Sequence, residues 1–281
     1  MLTIANERID LGKGTLIMGV VNVTPDSFYD GGSYLEKDRA LRQAEKLAEQ
    51  GADIIDIGGE SSRPGAEAVD IDAELKRVIP VVEALTGRIK VPLSIDTRKS
   101  QVARQALASG ASIINDVSAL RADREMAGVI KAYEVPVVLM HMRGAPRDMQ
   151  ANPHYNDVVT EIKEFFRQRI EWAGARGIKK DNIIIDPGIG FGKLLEHNLE
   201  ILKRLAEFQE LGCPILIGPS RKSFVGEILG NSPRERIWGT AASVAVGALM
   251  GARIIRVHDV KQMRQVVRVV DQIMNFQKIA G

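Results

Sequence analysis

An α/β fold, a TIM (β/α)8 barrel with an N-terminal hairpin, is predicted by three features of this 281-residue chain. Short runs rich in Ile and Val recur along it, each run is followed by a segment of helical periodicity, and most runs end in loops dense in Asp, Asn, Arg, Lys and Gly. The first two features are the βα alternation of a parallel sheet. The third is what a barrel needs when its active site lies at the C-terminal ends of the strands.

The elements follow in order. Leu2-Thr3-Ile4 and Arg8-Ile9-Asp10-Leu11 alternate before the first repeat and read as a small hairpin plugging the barrel bottom. Val20-Val21 then opens into Asn22-Val23-Thr24-Pro25-Asp26-Ser27-Phe28, and the run 54–57 into Gly58-Gly59-Glu60-Ser61-Ser62-Arg63-Pro64-Gly65. The run 91–95 leads to Asp96-Thr97-Arg98-Lys99, Ile113-Ile114 to Asn115-Asp116, and 137–140 to His141-Met142-Arg143-Gly144. The last three runs, 183–185, 215–217 and 254–255, end in Asp186-Pro187-Gly188-Ile189-Gly190-Phe191-Gly192-Lys193, Gly218-Pro219-Ser220-Arg221-Lys222-Ser223 and Arg256-Val257-His258-Asp259.

Between the strands, residues 35–50 place Leu41, Ala44, Leu47 and Ala48 on one helical face and stop at Gly51. Residues 73–85 do the same with Leu75, Val78, Ile79 and Val82 and stop near Gly87, and both glycines suit a helix C-cap. Further helices are expected at 100–108, 125–133, 158–175, 194–208, 233–250 and 260–279. Eight strands with about eight helices close a barrel more naturally than they fill an open sheet. The stretch 141–155, with two prolines, is too long for a simple connection and reads as a mobile loop over the top face. No linker or charge block interrupts the series, so residues 1–281 are expected to form one domain.

Composition narrows the function classes. The chain is 45% apolar and 26% charged, and its net charge of +2 carries no signal for nucleic acid or membrane binding. Cys213, the only cysteine, excludes an intrachain disulfide and reads as a small buried hydrophobe at a strand start. No secretory leader or spanning segment is evident, which makes the cytoplasm the expected location. No Cys or His cluster suggests zinc, and the glycines of 188–192 do not complete a dinucleotide fingerprint. His141 and Arg143 border the long loop, where a contact with substrate and a solvated position are both open and the second is favoured, while His154 and His197 have no partner at metal-ligand spacing. The small-residue segment 241–250 suits close helix packing.

Taken in order, Asn22 to Phe28, Gly59 to Gly65, Asp186 to Phe191 and Gly218 to Ser223 closely resemble the dihydropteroate synthase family, over residues 14–259. Ser62 stands where family members often carry Thr, which keeps a hydroxyl. The resemblance implies condensation of 6-hydroxymethyl-7,8-dihydropterin diphosphate with 4-aminobenzoate, giving 7,8-dihydropteroate and pyrophosphate, with Mg²⁺. It also implies a homodimer and a sulfonamide target. A pterin edge carries an amide and an amino group, so its pocket needs carboxylates and amides, and each wrong pairing leaves a buried group unsatisfied at about 1 to 3 kcal/mol.

By the resemblance, Asp96, Asn115 and Asp186 hold the pterin, Lys222 contacts its oxygen and ring nitrogen, and Phe191 and Gly218 complete the pocket. Asp96 and Asn115 taken singly fit a helix N-cap or strand-end turn equally well. Arg256 and His258 fall where barrels commonly bind phosphate, and alternation would put both on one side of the strand, facing the diphosphate. Asn22 offers an amide oxygen suited to Mg²⁺ that keeps its waters and bridges to diphosphate.

Phe28, Asp30, Ser62, Arg63 and Pro64 are expected on loops closing over an aminobenzoate pocket, with Ser223 and Lys222 at the benzoate end. Arg63, Asp96, Lys222, Arg256 and His258 would then act directly in an SN1-like path. Two rivals remain. A pterin-binding methyltransferase domain would need no diphosphate site, and a non-catalytic pterin-binding protein would not need so full a set of polar strand ends.

Overall fold

Eight parallel strands close into one barrel in the computed structural model, which describes residues 2–4, 7–9, 11, 14–24, 32–61, 65, 67–145 and 148–276. The chain begins with an antiparallel hairpin of β1 (Leu2–Ile4) and β2 (Glu7–Ile9). The barrel follows as β3 (Leu16–Asn22), β4 (Ile54–Gly58), β5 (Leu93–Asp96), β6 (Ile113–Asp116), β7 (Val137–Met140), β8 (Ile183–Asp186), β9 (Ile215–Ile217) and β10 (Ala252–Val257). Each strand pairs with the next in sequence, and β10 pairs with β3 to close the ring. The expected α/β barrel with its N-terminal hairpin is the observed fold.

Around the ring run α1 (Gly32–Glu49), α2 (Ile71–Leu85), α3 (Ser100–Ala108), α4 (Met126–Tyr133), α5 (Val158–Ala175), α6 (Leu195–Lys203), α7 (Ser223–Leu229), α8 (Ile237–Leu249) and α9 (Val260–Met274). Two expected helices are interrupted. The segment 194–208 leaves α geometry after Lys203 and continues as a 3₁₀ turn over Leu205–Leu211, ending on Gly212 at φ +68°. The segment 233–250 begins as a 3₁₀ turn at Pro233–Glu235, where Ser232 and Glu235 cap each other, and becomes α-helical only at Ile237. The seven-residue α7 was not anticipated, because so short a helix carries too little periodicity to be seen. Residues 277–279 of the last expected helix lie outside the described residues.

Alternation along the strands divides the apolar residues into two sets. Ile17, Val21, Ile55, Ile57, Ile95, Ile114, Leu139, Ile185, Ile217 and Ile255 face outward and pack with the helices into one large core. Met18, Ile54, Ile113, Val138, Ile184, Leu216 and Ile254 instead fill the interior, together with Ile4 and Leu11. The hairpin therefore stoppers the lower end with hydrocarbon, as expected. At the β10–β3 seam, Asp271 of α9 accepts from the amide and hydroxyl of Thr15 at 2.9 and 2.8 Å, and on the β4 side Asp53 accepts from the amide of Ile17 at 2.7 Å.

The stretch 141–155 does not float over the top face. Among its described residues, Met142, Met149 and Tyr155 are buried. Tyr155 Oη donates to the carbonyl of Gly192 at 2.9 Å, and Gln150 Nε2 to that of Gly190 at 2.8 Å. Apolar anchors thus convert an expected mobile loop into a packed strap. Replacing the fully buried Ile184 by Ala should cost about 2 to 5 kcal/mol, read as a lower urea midpoint, because the sealed barrel interior cannot collapse around the missing atoms.

Candidate active site

Two residues up each strand, the interior changes character. Ile54 is followed on the same face by Asp56, Ile113 by Asn115, Ile184 by Asp186, Leu216 by Gly218 and Ile254 by Arg256. Side chains that would be costly to bury singly are thereby gathered at the C-terminal end of the barrel, where each can meet a partner. Arg256 Nε donates to Asp56 Oδ2 at 2.7 Å and its Nη2 to Asp96 Oδ2 at 2.8 Å. Asn115 Nδ2 donates to the same Asp56 oxygen at 3.1 Å.

Burial raises the pKa of Asp96, against the pull of the adjacent Arg256. It pushes Asp186 up to about 6, opposed by the amide of Gly188 and by Lys222, Lys193 and Arg256. Burial also disfavours the Arg256 charge, but Asp56 and Asp96 outweigh it and raise its pKa. The layer is therefore one coupled set of charges.

The glycine-rich loop after β8 forms the second wall. Asp186 Oδ1 accepts from the amide of Gly188 at 2.7 Å, and Asn198 Oδ1 from that of Gly190 at 2.7 Å. Gly188, Gly190 and Gly192 all have positive φ, at +71°, +79° and +63°. A Cβ on Gly188 would lie 2.0 Å from the carbonyl oxygen of His141, and one on Gly192 2.3 Å from that of Arg143. This loop turns the Phe191 ring inward, with Lys222 Nζ 3.9 Å from the ring centroid. Asp96, Asn115, Val117, Met140, Asp186, Ile189, Phe191, Gly218, Lys222 and Arg256 line the resulting cleft.

Seven of the residues singled out in the sequence thus share one cleft. His258 does not join them. It follows the last residue of β10, and its Nδ1 lies 3.0 Å from Ser220 Oγ, whereas Arg256 turns into the barrel. Asn22 is the exposed last residue of β3, and Ser223 is the exposed first residue of α7, outside the cleft lining. Phe28, Asp30, Ser62, Arg63 and Pro64 lie outside the described residues.

Three polar groups had been passed over. Asp56, fully buried, was visible as an acid inside Ile54-Ile55-Asp56-Ile57, two positions above an interior Ile. His141, read as solvated, is buried beside the cleft loop, where Lys193 Nζ lies 3.1 Å from its Nδ1. Behind the loop that leaves β4, Glu60 accepts from Arg98 at 2.5 Å and pairs with Lys99, which also reaches the buried Glu74. That network joins α2 and the end of β5 through long-range pairs.

The comparisons with known proteins bear on this geometry. Residues 18–258 match the family model described as pterin binding enzyme. The dihydropteroate synthase of Synechocystis sp. is 45% identical over 273 residues, covering 97% of this chain and 94% of that protein. The chain belongs to the dihydropteroate synthase family. The family's members are pterin-binding transferases of folate biosynthesis.

Two solved dihydropteroate synthases superpose over nearly the whole chain. That of Yersinia pestis, with a sulfonamide drug complex, has a TM-score of 0.92 at 44% identity and covers 98% of this chain and 99% of its own. That of Xanthomonas albilineans, with 4-aminobenzoic acid, has a TM-score of 0.91 at 44% identity and covers 98% of each chain. Among the described residues no helix is long and apolar enough to cross a membrane.

The loop geometry makes a direct demand. Gly188→Ala should lose about 1 to 3 kcal/mol or more through backbone strain, beyond the collision with His141, and should lower the thermal midpoint accordingly.

Proposed function

We propose that the cleft binds the pterin ring of 6-hydroxymethyl-7,8-dihydropterin diphosphate and that the chain transfers its methylene to 4-aminobenzoate, releasing pyrophosphate. The observation that carries this reading is the convergence of Asp96, Asn115, Asp186, Lys222 and Arg256 on one cleft at the C-terminal end of the barrel. Carboxylates accept from the amino and amide N–H groups of the ring, while Asn115 and Lys222 supply donors to its oxygen and nitrogens. The 45% identity to a dihydropteroate synthase favours this activity over a methyltransferase domain of the same barrel class.

The arylamine attacks without a strong base, so the barrier lies in departure of the leaving group. Asp96 and Asp186 stabilise the positive charge growing on the pterin and its methylene carbon, as groups already fixed in place need no reorganisation. Arg256, bound to both Asp56 and Asp96, links the ring pocket to the side where the diphosphate would lie. We assign His258 to the diphosphate from the rim, beside Ser220. Arg63, Ser62, Pro64 and Phe28 are assigned to loops that complete the aminobenzoate pocket and exclude water, with Ser223 at the benzoate end.

Asn22 presents an exposed amide at the end of β3, and its neutral oxygen is a donor of the kind Mg²⁺ takes. An ion that takes few protein ligands and is held largely by water and diphosphate suits such a site. When bound by Asn22 it would supply charge neutralisation at the pyrophosphate.

Residues 1–281 are proposed to act as one barrel domain in the cytoplasm, and as a homodimer. The apolar faces left exposed on α8 and α9, including Trp238, Leu249, Val269 and Ile273, support the last point. Sulfonamides are expected to compete with 4-aminobenzoate.

The decisive assay mixes the pterin diphosphate with 4-aminobenzoate and follows pyrophosphate, with and without Mg²⁺; no release would exclude the synthase reading. Asp186→Asn should weaken the binding of a bare pterin by about tenfold or more in calorimetry, since a group accepting from ring N–H donors would have to donate with one arm. The same contact sets a pH dependence. Burial pushes Asp186 up to about 6, and only its ionised form accepts from both donors, so pterin affinity should fall as pH drops through 6, while the Asn variant should lose that step and keep only the one set by Asp96. Arg256→Ala should weaken the diphosphate substrate by about tenfold or more. Because its guanidinium also holds Asp96, the bare pterin should lose affinity too, whereas His258→Ala should spare it.

A further inference from the structure

Lys193 is the buried cation that the proposed chemistry leaves unused. It follows the last glycine of the 188–192 loop and is 3% exposed. Its Nζ donates to the carbonyl of Phe191 at 2.9 Å and to that of His141 at 3.3 Å, and lies 3.1 Å from His141 Nδ1. Among the described residues no carboxylate lies within ion-pairing distance of it. Burial pushes its pKa down to about 7, with Asp186 pulling the other way and Lys222 and Arg143 adding to the fall. Burial likewise holds the His141 pKa well below its usual value, which keeps the ring neutral and its Nδ1 free to accept.

A charged amine in such a place is costly, and an apolar side chain of the same length would fill the space at less expense. What the amine does supply is three directed contacts, and each lands on a group bound to the cleft. Phe191 presents the ring over which Lys222 lies. His141 donates its amide N–H to the carbonyl of Asp186 at 2.9 Å, and its own carbonyl faces the α-carbon of Gly188. One ammonium thus staples the end of β7 to the loop after β8.

We infer that Lys193 is a positioning residue for pterin recognition, acting through Phe191 and His141 to hold Lys222 and Asp186 in register across the cleft. This rests on the reading of the cleft as the pterin site. Neither contact is made with substrate, so its effect is on the geometry of the groups that are.

The test is calorimetric titration of 6-hydroxymethylpterin into the parental protein, Lys193→Met, Lys193→Gln, Phe191→Leu and the Lys193→Met/Phe191→Leu double variant, with thermal midpoints measured alongside. Lys193→Met keeps the volume and removes the donors; it should fold with a midpoint close to the parental one while losing about tenfold in pterin affinity, since small displacements of binding groups are amplified. Lys193→Gln, which keeps two N–H donors without the charge, should recover part of that loss. The double variant should lose little more than the worse single, because both changes act on the same ring platform.

Parental affinity in both Lys193 variants, losses that multiply in the double variant, or a Lys193→Met protein that does not fold would each overturn the inference, the last by showing that the staple serves folding. A parental protein that fails to bind the pterin would instead overturn the reading of the cleft.

Discussion

Three aspartates and one guanidinium occupy the upper interior of a barrel whose lower interior is hydrocarbon, and the charges have to be balanced there together. Arg256 donates to Asp56 and Asp96 at once, and Asn115 shares the Asp56 oxygen. That arrangement depends on register, since Arg256 of β10 lies beside Met18 of β3 while Asp56 of β4 pairs with Val20 of the same strand β3. Removing one member would leave buried charge uncompensated, at about 3 to 5 kcal/mol. The balance is also incomplete. Asp56 Oδ1 and Ser94 Oγ, on residues paired across β4 and β5, are buried with no hydrogen-bond partner.

The glycine loop after β8 solves a different problem. Asp186 must stay at a strand end while the chain turns back tightly enough to bring Phe191 over the same opening. Three residues of positive φ spaced by two make that reversal, and backbone carbonyls of 141 and 143 occupy the space that two of their side chains would need. The strap 141–155 then covers the loop, with Gln150 and Tyr155 donating to carbonyls that the turn leaves pointing outward. The cleft wall is therefore rigid backbone rather than a cluster of adaptable side chains.

Much of this was readable from local pattern. Apolar runs ending in polar residues locate the strands and the face where the chemistry lies, while the choice of Asp96, Asn115, Asp186 and Lys222 as pterin contacts needed the family resemblance. Pairings made across long stretches of chain were not readable. The Arg256 contact with Asp56 joins residues 200 apart, and nothing near either one announces it. His141 looked solvated because a histidine beside a long polar segment usually is; its burial depends on Phe165 and Tyr155 packing around it. Helix α7 was missed because seven residues present barely two turns.

The hairpin at the bottom of the barrel has a consequence for traffic. Ile4 and Leu11 pack among the interior residues of the strands, so the described residues at the lower end are hydrocarbon. A barrel closed in this way has one door. Whatever lies deepest in the cleft must arrive before its partners and depart after them, and anything split off must leave by the mouth through which the next molecule comes. Depth then sets an order on binding and release.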